Sequence, residues 1–291
     1  MLSKPHLPVT RAGIINTLNM NTRAAAIGGL TLLLLAVGGN AAWTQEKLSS
    51  PVETLPLPPV PPRIADGEDY EHCLALLGND PTGANAFADA WEATGGGEGA
   101  LHCHALAQVA LGNVDAGADM LDRLAANSHA PTAARAAVYG QADQAWLMAG
   151  QADRAFASAT LALSLSSRDA DLLIDRSIAA ATLGRYNDSV EDLSQALEWD
   201  GRRTDALVLR AAAWRHLDHL DLAQDDIDRA FALDTENPEA FLERGILRQR
   251  YGDWEGARLD WVKAVALAPN SATSDLAEQN IALLESGPAR R

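Results

Sequence analysis

Basic residues are scarce in this chain of 291 residues. It has 23 lysines and arginines against 39 aspartates and glutamates, which gives a formal net charge of −16. Residues 64–291 carry 18 of the basic and 37 of the acidic residues. A surface this acidic repels nucleic acid and anionic lipid, so the composition argues against both as partners.

Motifs for catalysis and nucleotide binding are also missing. Gly95 to Gly97 has no Gly-Lys-Ser/Thr continuation, which excludes a phosphate loop. No Cys-x-x-Cys pair, nucleophile elbow, metalloprotease motif or catalytic carboxylate pair stands out. We therefore expect a protein that is not an enzyme and that has no cofactor. A thiol- or metal-dependent enzyme is the alternative that these absences argue against.

Cysteine occurs only twice, at Cys73 and Cys103. Each lies in a helical pattern, on the first helix of neighbouring predicted hairpins. In an oxidising compartment the leading interpretation is a disulfide, and the alternative is two buried thiols.

Histidines beside the cysteines, at His72, His102 and His104, also raise the question of zinc. Successive residues on a helix diverge by about 100°, so adjacent pairs chelate poorly. His216 and His219 could share one helical face, but no third ligand is evident. We expect no metal site.

Long apolar runs are missing too. The longest, Ala24 to Val37, has 14 residues, whereas a membrane span needs about 20. It follows Arg23 and precedes small residues, which is the pattern of a secretory signal peptide. Residues 1–45 are thus predicted to be a signal peptide cleaved near Ala42 to Gln45. Met20 offers a more compact start, so residues 1–19 would be a mis-assigned extension.

Export would place the protein in the periplasm or otherwise outside the cytoplasm. The alternative is that residues 24–37 remain as an N-terminal membrane anchor, with the folded part still outside. Residues 46–65 contain six prolines and predict an extended linker. They are Pro51, Pro56, Pro58, Pro59, Pro61 and Pro62.

The stretch from Ala170 to Asn270 repeats itself with a fixed period of 34. Gly184-Arg185-Tyr186 recurs as Asp218-His219-Leu220 and as Gly252-Asp253-Trp254, and Ala196 recurs as Ala230 and Ala264. This period indicates an array of helix-turn-helix units. In the last copy, small and apolar residues fall at helical spacing on both sides of Gly252-Asp253. Such hairpins bury their apolar faces only by stacking on neighbours.

The last copy resembles the tetratricopeptide repeat (TPR) family. The residues that carry the resemblance are Gly245, Gly252, Ala257, Trp261, Ala264 and Pro269. The middle copy departs from the pattern at Asp218 and Thr235, which makes its inner turn less certain. The resemblance implies an all-α solenoid, a right-handed superhelix. Together with the predicted export signal, it indicates a bacterial exported or envelope TPR protein. It also implies a concave groove, lined by the first helix of each hairpin, that binds a peptide or protein segment.

Residues 66–286 are predicted to form this solenoid, followed by a tail at 287–291. Two divergent units precede the clear copies, which gives about five repeats. A degenerate hairpin with a helix from Pro81 to about Thr94 leads the array. Residues 128–134 lengthen one junction, between helices predicted at 114–125 and 136–149. Ser274 to Ser286 is predicted to be a capping helix.

A ladder of charges follows the same period. Arg176, Arg210 and Arg244 recur at a position that is usually apolar in the TPR family, and Asp192, Asp226 and Asp260 recur on the second helix of the same units. Both divergent units lack both members, which favours ion pairs inside each hairpin. Pairs between successive hairpins and coincidence on solvated faces remain alternatives.

Family geometry predicts the groove residues. The aliphatic floor would consist of Ile174, Ile178, Val208, Ala212, Leu242 and Ile246, and the polar, basic edge of Arg215, His216, Gln249 and Arg250. Such a groove suits an amphipathic or hydrophobic segment that bears a carboxylate or an acidic residue. Alternatively, these aliphatics pack the superhelix, or the chain's own linker or last helix covers them.

The predicted function is therefore a protein–protein interaction module of the cell envelope. The identity of the partner and the oligomeric state stay open. The alternative is an envelope-assembly scaffold that works through its outer surface or by self-association.

Overall fold

The computed structural model describes residues 63–286, which form a chain of α-helices with no strand among them. The predicted signal peptide or anchor, nearly all of the linker and the tail lie outside the described residues. The thirteen helices are α1 Glu68–Leu77, α2 Pro81–Ala93, α3 Gly97–Ala110, α4 Val114–Asn127, α5 Thr132–Met148, α6 Ala152–Leu165, α7 Ala170–Thr182, α8 Tyr186–Trp199, α9 Thr204–His216, α10 Leu220–Leu233, α11 Pro238–Arg250, α12 Trp254–Leu267 and α13 Ala272–Ser286.

Each helix packs on the next, and the first helices of successive hairpins also pack side by side, α5 on α7, α7 on α9, α9 on α11 and α11 on α13. The predicted all-α solenoid of hairpins is confirmed. The leading hairpin is α1–α2, five repeats follow from α3 to α12, and α13 ends the array. Helix α5 begins at Thr132, earlier than predicted, because Pro131 can precede a first turn without losing a backbone hydrogen bond. The lengthened junction is therefore residues 128–131.

The turns within the hairpins share one backbone conformation. Gly112, Gly150, Gly184 and Gly252 all have positive φ, between 73° and 88°. Asp218 takes the same left-handed conformation with φ 64°, so the middle copy keeps its turn without glycine. Aspartate tolerates this region better than most side chains, which explains why the departure from the repeat pattern does not alter the hairpin.

Small residues let the helices approach closely. A Cβ added to Gly245 would lie 2.4 Å from Nε1 of Trp261, a side chain that is fully buried. Trp261 donates a hydrogen bond from Nε1 to the carbonyl oxygen of Leu242, at 3.2 Å. One large core cluster runs from the leading hairpin to α11, and a separate smaller cluster surrounds Trp261 beneath α13.

Helix α13 caps the array because its open face is polar. In the preceding hairpin, the equivalent face of α11 packs on the second helix, α12. On α13 the residues of this face, one repeat period later, are exposed. They are Asp275, Glu278, Gln279 and Ala282, and their counterparts on α11 are Phe241, Arg244, Gly245 and Arg248. No further helix has to cover this face of α13, because most of its side chains are polar and can be exposed to solvent. Among the described helices, none has the length and apolarity to cross a membrane.

Candidate functional site

A cleft of about 530 Å³ opens on the face formed by the first helices. Its walls come from four helices, the consecutive α7, α8 and α9 and the more distant α13. The lining residues are Ser177, Ile178, Ala181, Thr182, Tyr186, Ser189, Leu209, Ala212, Ala213, His216 and Leu276. Apolar clefts with a few polar groups are the usual form of a binding site.

Three of the predicted groove residues, Ile178, Ala212 and His216, line this cleft. Leu276 was not predicted, although it lies one repeat period after Leu242 and so occupies the same place in its repeat. It is 51% exposed on α13. The repeat period could have identified Leu276, but only the curvature of the array shows that α13 reaches a cleft shared with α7.

Other predicted floor residues serve mainly as packing. Ile174 and Val208 are 5% and 8% exposed and belong to the main core, because adjacent first helices close over them. Leu242 and Ile246 are half-buried against the cluster around Trp261. Fewer residues of the predicted groove floor are therefore accessible to a partner than the sequence predicted.

Acidic residues of the chain itself neutralise the positive charges of the predicted basic edge. Arg215 makes a forked ion pair with the buried Glu243, and Arg250 donates to Asp218 at 2.6 Å. Gln249 is half-buried beside them. Little free positive charge remains at this edge, so the structure does not favour a partner carboxylate there.

His216 stacks on Tyr186 with ring centroids 4.3 Å apart and planes nearly parallel. Partial burial, and then the neighbouring Arg215, lower the pKa of His216 below its usual value. A neutral imidazole on a phenol ring forms a flat aromatic surface at one end of the cleft.

The arginine–aspartate ladder forms inside each hairpin. Nε and Nη2 of each arginine reach the two carboxylate oxygens of its aspartate, at 2.6–2.9 Å. The aspartates are 4–5% exposed, and Arg244 also stacks on Phe231 of the preceding hairpin. Forked geometry and near-complete burial indicate a structural role.

Cys73 and Cys103 are joined as a disulfide, with Cα atoms 6.2 Å apart. The bond links α1 to α3, the first helices of adjacent hairpins, and lies in a small cluster with Ala88.

We expect the Cys73→Ser, Cys103→Ser double variant to lose about 3 to 4 kcal/mol of unfolding free energy, because the bond closes a loop of 30 residues. Urea denaturation measures this loss. Alkylation without reduction, followed by mass spectrometry, should show the two cysteines linked. Full labelling of both thiols would contradict the bond.

The histidines have separate surroundings. His102 is buried, where the Tyr70 hydroxyl can donate to Nδ1 and Nε2–H can donate to Gln141 Oε1, each at 2.6 Å. Burial lowers the pKa of His102, which favours this neutral ring. The others contact different partners: His72 packs on Phe87, His104 lies beside Asp89 and Glu92, and His219 packs on Trp214. No cluster of three ligating side chains that could hold a metal occurs among the described residues.

Two acidic residues on α5 and α7 were not anticipated from the sequence. Asp143 is fully buried, and burial, with repulsion from Asp175 and Asp122, raises its pKa to about 8. Burial also raises the pKa of Asp175 to about 6, although Gln144 donates a hydrogen bond to it. In the three following repeats, the place of Asp143 is taken by Ser177, Ala211 and Gly245. A carboxyl group at a position otherwise held by small residues is the signal that could have identified it.

Comparison with solved structures supports the repeat fold. A chain of the APC/C hetero-tetramer Cut9-Hcn1 is 15% identical over 73% of this chain and 42% of its own length, with a TM-score of 0.55. TTC0263, a thermophilic TPR protein of Thermus thermophilus, is 20% identical over 65% of this chain and 99% of its own, with a TM-score of 0.52. No family model and no curated protein matches the sequence. The described residues therefore have the TPR solenoid fold, and the chain spans less than half of the Cut9-Hcn1 chain that it resembles.

Proposed function

We propose that this protein is a non-enzymatic protein–protein interaction module of the cell envelope. It binds an amphipathic or apolar segment of another protein in the cleft on its first-helix face. The observation that carries the proposal is the cleft itself, in which Ile178, Ala212 and Leu276 present open apolar surface. Aliphatic side chains that three helices leave partly or fully open suit the apolar face of a partner segment.

Two features support an envelope location. The short apolar run at residues 24–37 with its basic flank is typical of an export signal. The disulfide between Cys73 and Cys103 suits an oxidising compartment.

Solved relatives of this fold also act through protein contacts. The Cut9-Hcn1 chain is part of a hetero-tetramer, which is consistent with a repeat array that serves as a binding surface. Because fold alone does not define function, the cleft carries the argument.

The outer surface offers a second candidate. Leu259 and Val262 on α12 are 60% and 44% exposed. The equivalent residues of the preceding repeat, on α10, are Asp225 and Asp228. This apolar replacement on the convex side favours a scaffold that associates through α12.

Charged residues in the cleft should abolish partner capture. The double variant Ile178→Asp, Leu276→Asp removes the apolar surface. Leu276 is half exposed and Ile178 packs only partly against the core, so the array should stay folded, although its melting temperature should fall. We expect at least a tenfold loss of partner recovered from envelope extracts, about the effect of losing a central apolar contact.

The matched control is Leu259→Asp with Val262→Asp on the outer surface, which should capture the partner as the wild type does. Both variants should keep the wild-type helical circular dichroism and cooperative melting. Capture that survives the cleft changes and is lost with the α12 changes would reject the cleft in favour of the scaffold.

A further inference from the structure

The wall formed by α5 and α7 holds two carboxyl groups, Asp143 and Asp175, that form no ion pair with any residue in the described part of the chain. Both carboxyl oxygens of Asp143 are buried and have no hydrogen-bond partner among the residues that the structure describes. The half-buried Asp175 accepts one hydrogen bond, from Gln144 Nε2 at 3.2 Å. Gln144 occupies the same place in its repeat as the cleft residues Ile178 and Ala212 occupy in the next two. The pair therefore lies along the groove wall, next to the cleft.

The carboxylate equivalent to Asp175 in a later repeat has an arginine partner within the chain. Glu243 on α11 lies two repeat periods after Asp175, and Arg215 on α9 reaches it with a forked ion pair. The residue two periods before Arg215 is Leu147, on α5. The chain thus supplies a guanidinium at the contact between α9 and α11, and an apolar side chain at the equivalent contact between α5 and α7.

Among the described residues, no neighbouring cation forms an ion pair with Asp143 or Asp175. Asp122 on α4 adds a further negative charge, and it is held by Trp146 Nε1 and Ser158 Oγ at 2.7 Å each. On the side of α7 and α9, the positive charge of Arg203 acts to lower the pKa of Asp175, but its guanidinium is hydrogen-bonded to Asp171 and Asp205. Asp169 and Asp171 add to the negative charge near Asp175.

We propose that the groove wall at Asp175, where α5 packs on α7, is a subsite for an arginine side chain of the segment bound in the groove. This inference rests on the proposed function and adds the chemistry of the partner. The partner's guanidinium takes the place that Arg215 fills at the later contact, facing Asp175 from the groove and Asp143 behind it. A planar fork of N–H donors suits two carboxylates. As the cation enters, Asp143 releases its proton to the solvent, so binding is tighter when the pH rises.

Selection from a random twelve-residue peptide library displayed on phage tests the subsite. Peptides enriched on the wild-type protein should share apolar residues with one arginine at a constant spacing from them. Changing that arginine to alanine should weaken binding to the wild type about tenfold or more, the usual scale for a desolvated charge pair. The same change should have little effect on binding to Asp175→Asn.

The outcomes separate the two proposals. Enrichment of apolar peptides with no arginine preference would overturn the subsite and leave the groove function standing. A lack of any enrichment would count against the groove function and the subsite together.

Supplying the cation within the chain gives an independent test. Leu147→Arg places a guanidinium at the position equivalent to Arg215, one helical turn from Asp143. We expect this variant to lose the preference for arginine-containing peptides and to show less change in melting temperature between pH 6 and pH 8 than the wild type. Leu147→Gln, which adds no charge, should change neither property. Equal behaviour of the two variants would overturn the subsite even if no peptide were available.

Discussion

Replacing Asp143 with asparagine should make the protein more stable at pH 8, by about 2 to 4 kcal/mol. The wild-type carboxyl group is fully buried and has no hydrogen-bond partner among the residues that the structure describes, so its ionisation places an uncompensated charge in the core. The asparagine carries no charge, although its amide is also left without a partner and this offsets part of the gain.

The difference should depend on pH in one direction. In the folded protein the pKa of Asp143 is about 8, whereas its ordinary value is 3.8. The folded state therefore holds a proton that the unfolded state releases, and wild-type stability falls as the pH rises from about 4 to about 8. Near pH 4 the wild-type carboxyl group is protonated in the folded state, so the gain is absent and Asp143→Asn should be slightly less stable than the wild type because of its unpartnered amide.

Urea unfolding at intervals from pH 4 to pH 9 measures this effect. Asp153→Asn, at an exposed site on α6, is the control and should follow the wild-type profile. Parallel profiles for the wild type and Asp143→Asn would show that Asp143 is not the titrating group.

Removing one arginine of the ladder should destabilise the protein. The loss of unfolding free energy should depend on whether the partner aspartate keeps a second arginine nearby. Arg176→Ala strands Asp192, which is paired with no other arginine among the described residues, and should cost about 3 to 5 kcal/mol. Arg210→Ala should cost less, because Arg229 still lies 3.2 Å from Asp226. Chemical denaturation of both variants measures the difference.

A double-mutant cycle shows whether the effect belongs to the pair. Arg210→Leu combined with Asp226→Leu removes both charges, so the double variant should recover much of the stability that either single change loses. Additive losses would mean that the two residues are not coupled.

The sequence predicts the architecture well because the period of 34 reflects contacts within one repeat. The ladder is an example: the arginines and aspartates occur together in three repeats and are both missing from two, and the structure joins each pair inside its hairpin. Such contacts depend on spacing along two adjacent helices, which a repeat pattern records directly.

The cleft is less predictable because it depends on contacts between repeats. Leu276 belongs to α13 but shares a cleft with Ile178 of α7, and that proximity follows from the curvature accumulated over three repeats. The repulsion between Asp143 and Asp175 likewise depends on which faces of α5 and α7 meet. The charges of Arg215 and Arg250 could be read from the sequence, whereas their compensation by Glu243 and Asp218 could not.

The two ends of the array are secured in different ways, and this should set the order in which it opens. A covalent bond between Cys73 and Cys103 ties the leading hairpin to the first repeat. Helix α13 is held by noncovalent contacts, which are packing on the small cluster around Trp261, a hydrogen bond from Thr273 to Glu239 and an exposed ion pair between Arg258 and Glu285. In an array where each unit contacts mainly its neighbours, local opening begins at the less secured end. Fraying of α13 would remove Leu276 from the cleft while the rest of the array stays folded, so the cleft would open and close with the last helix.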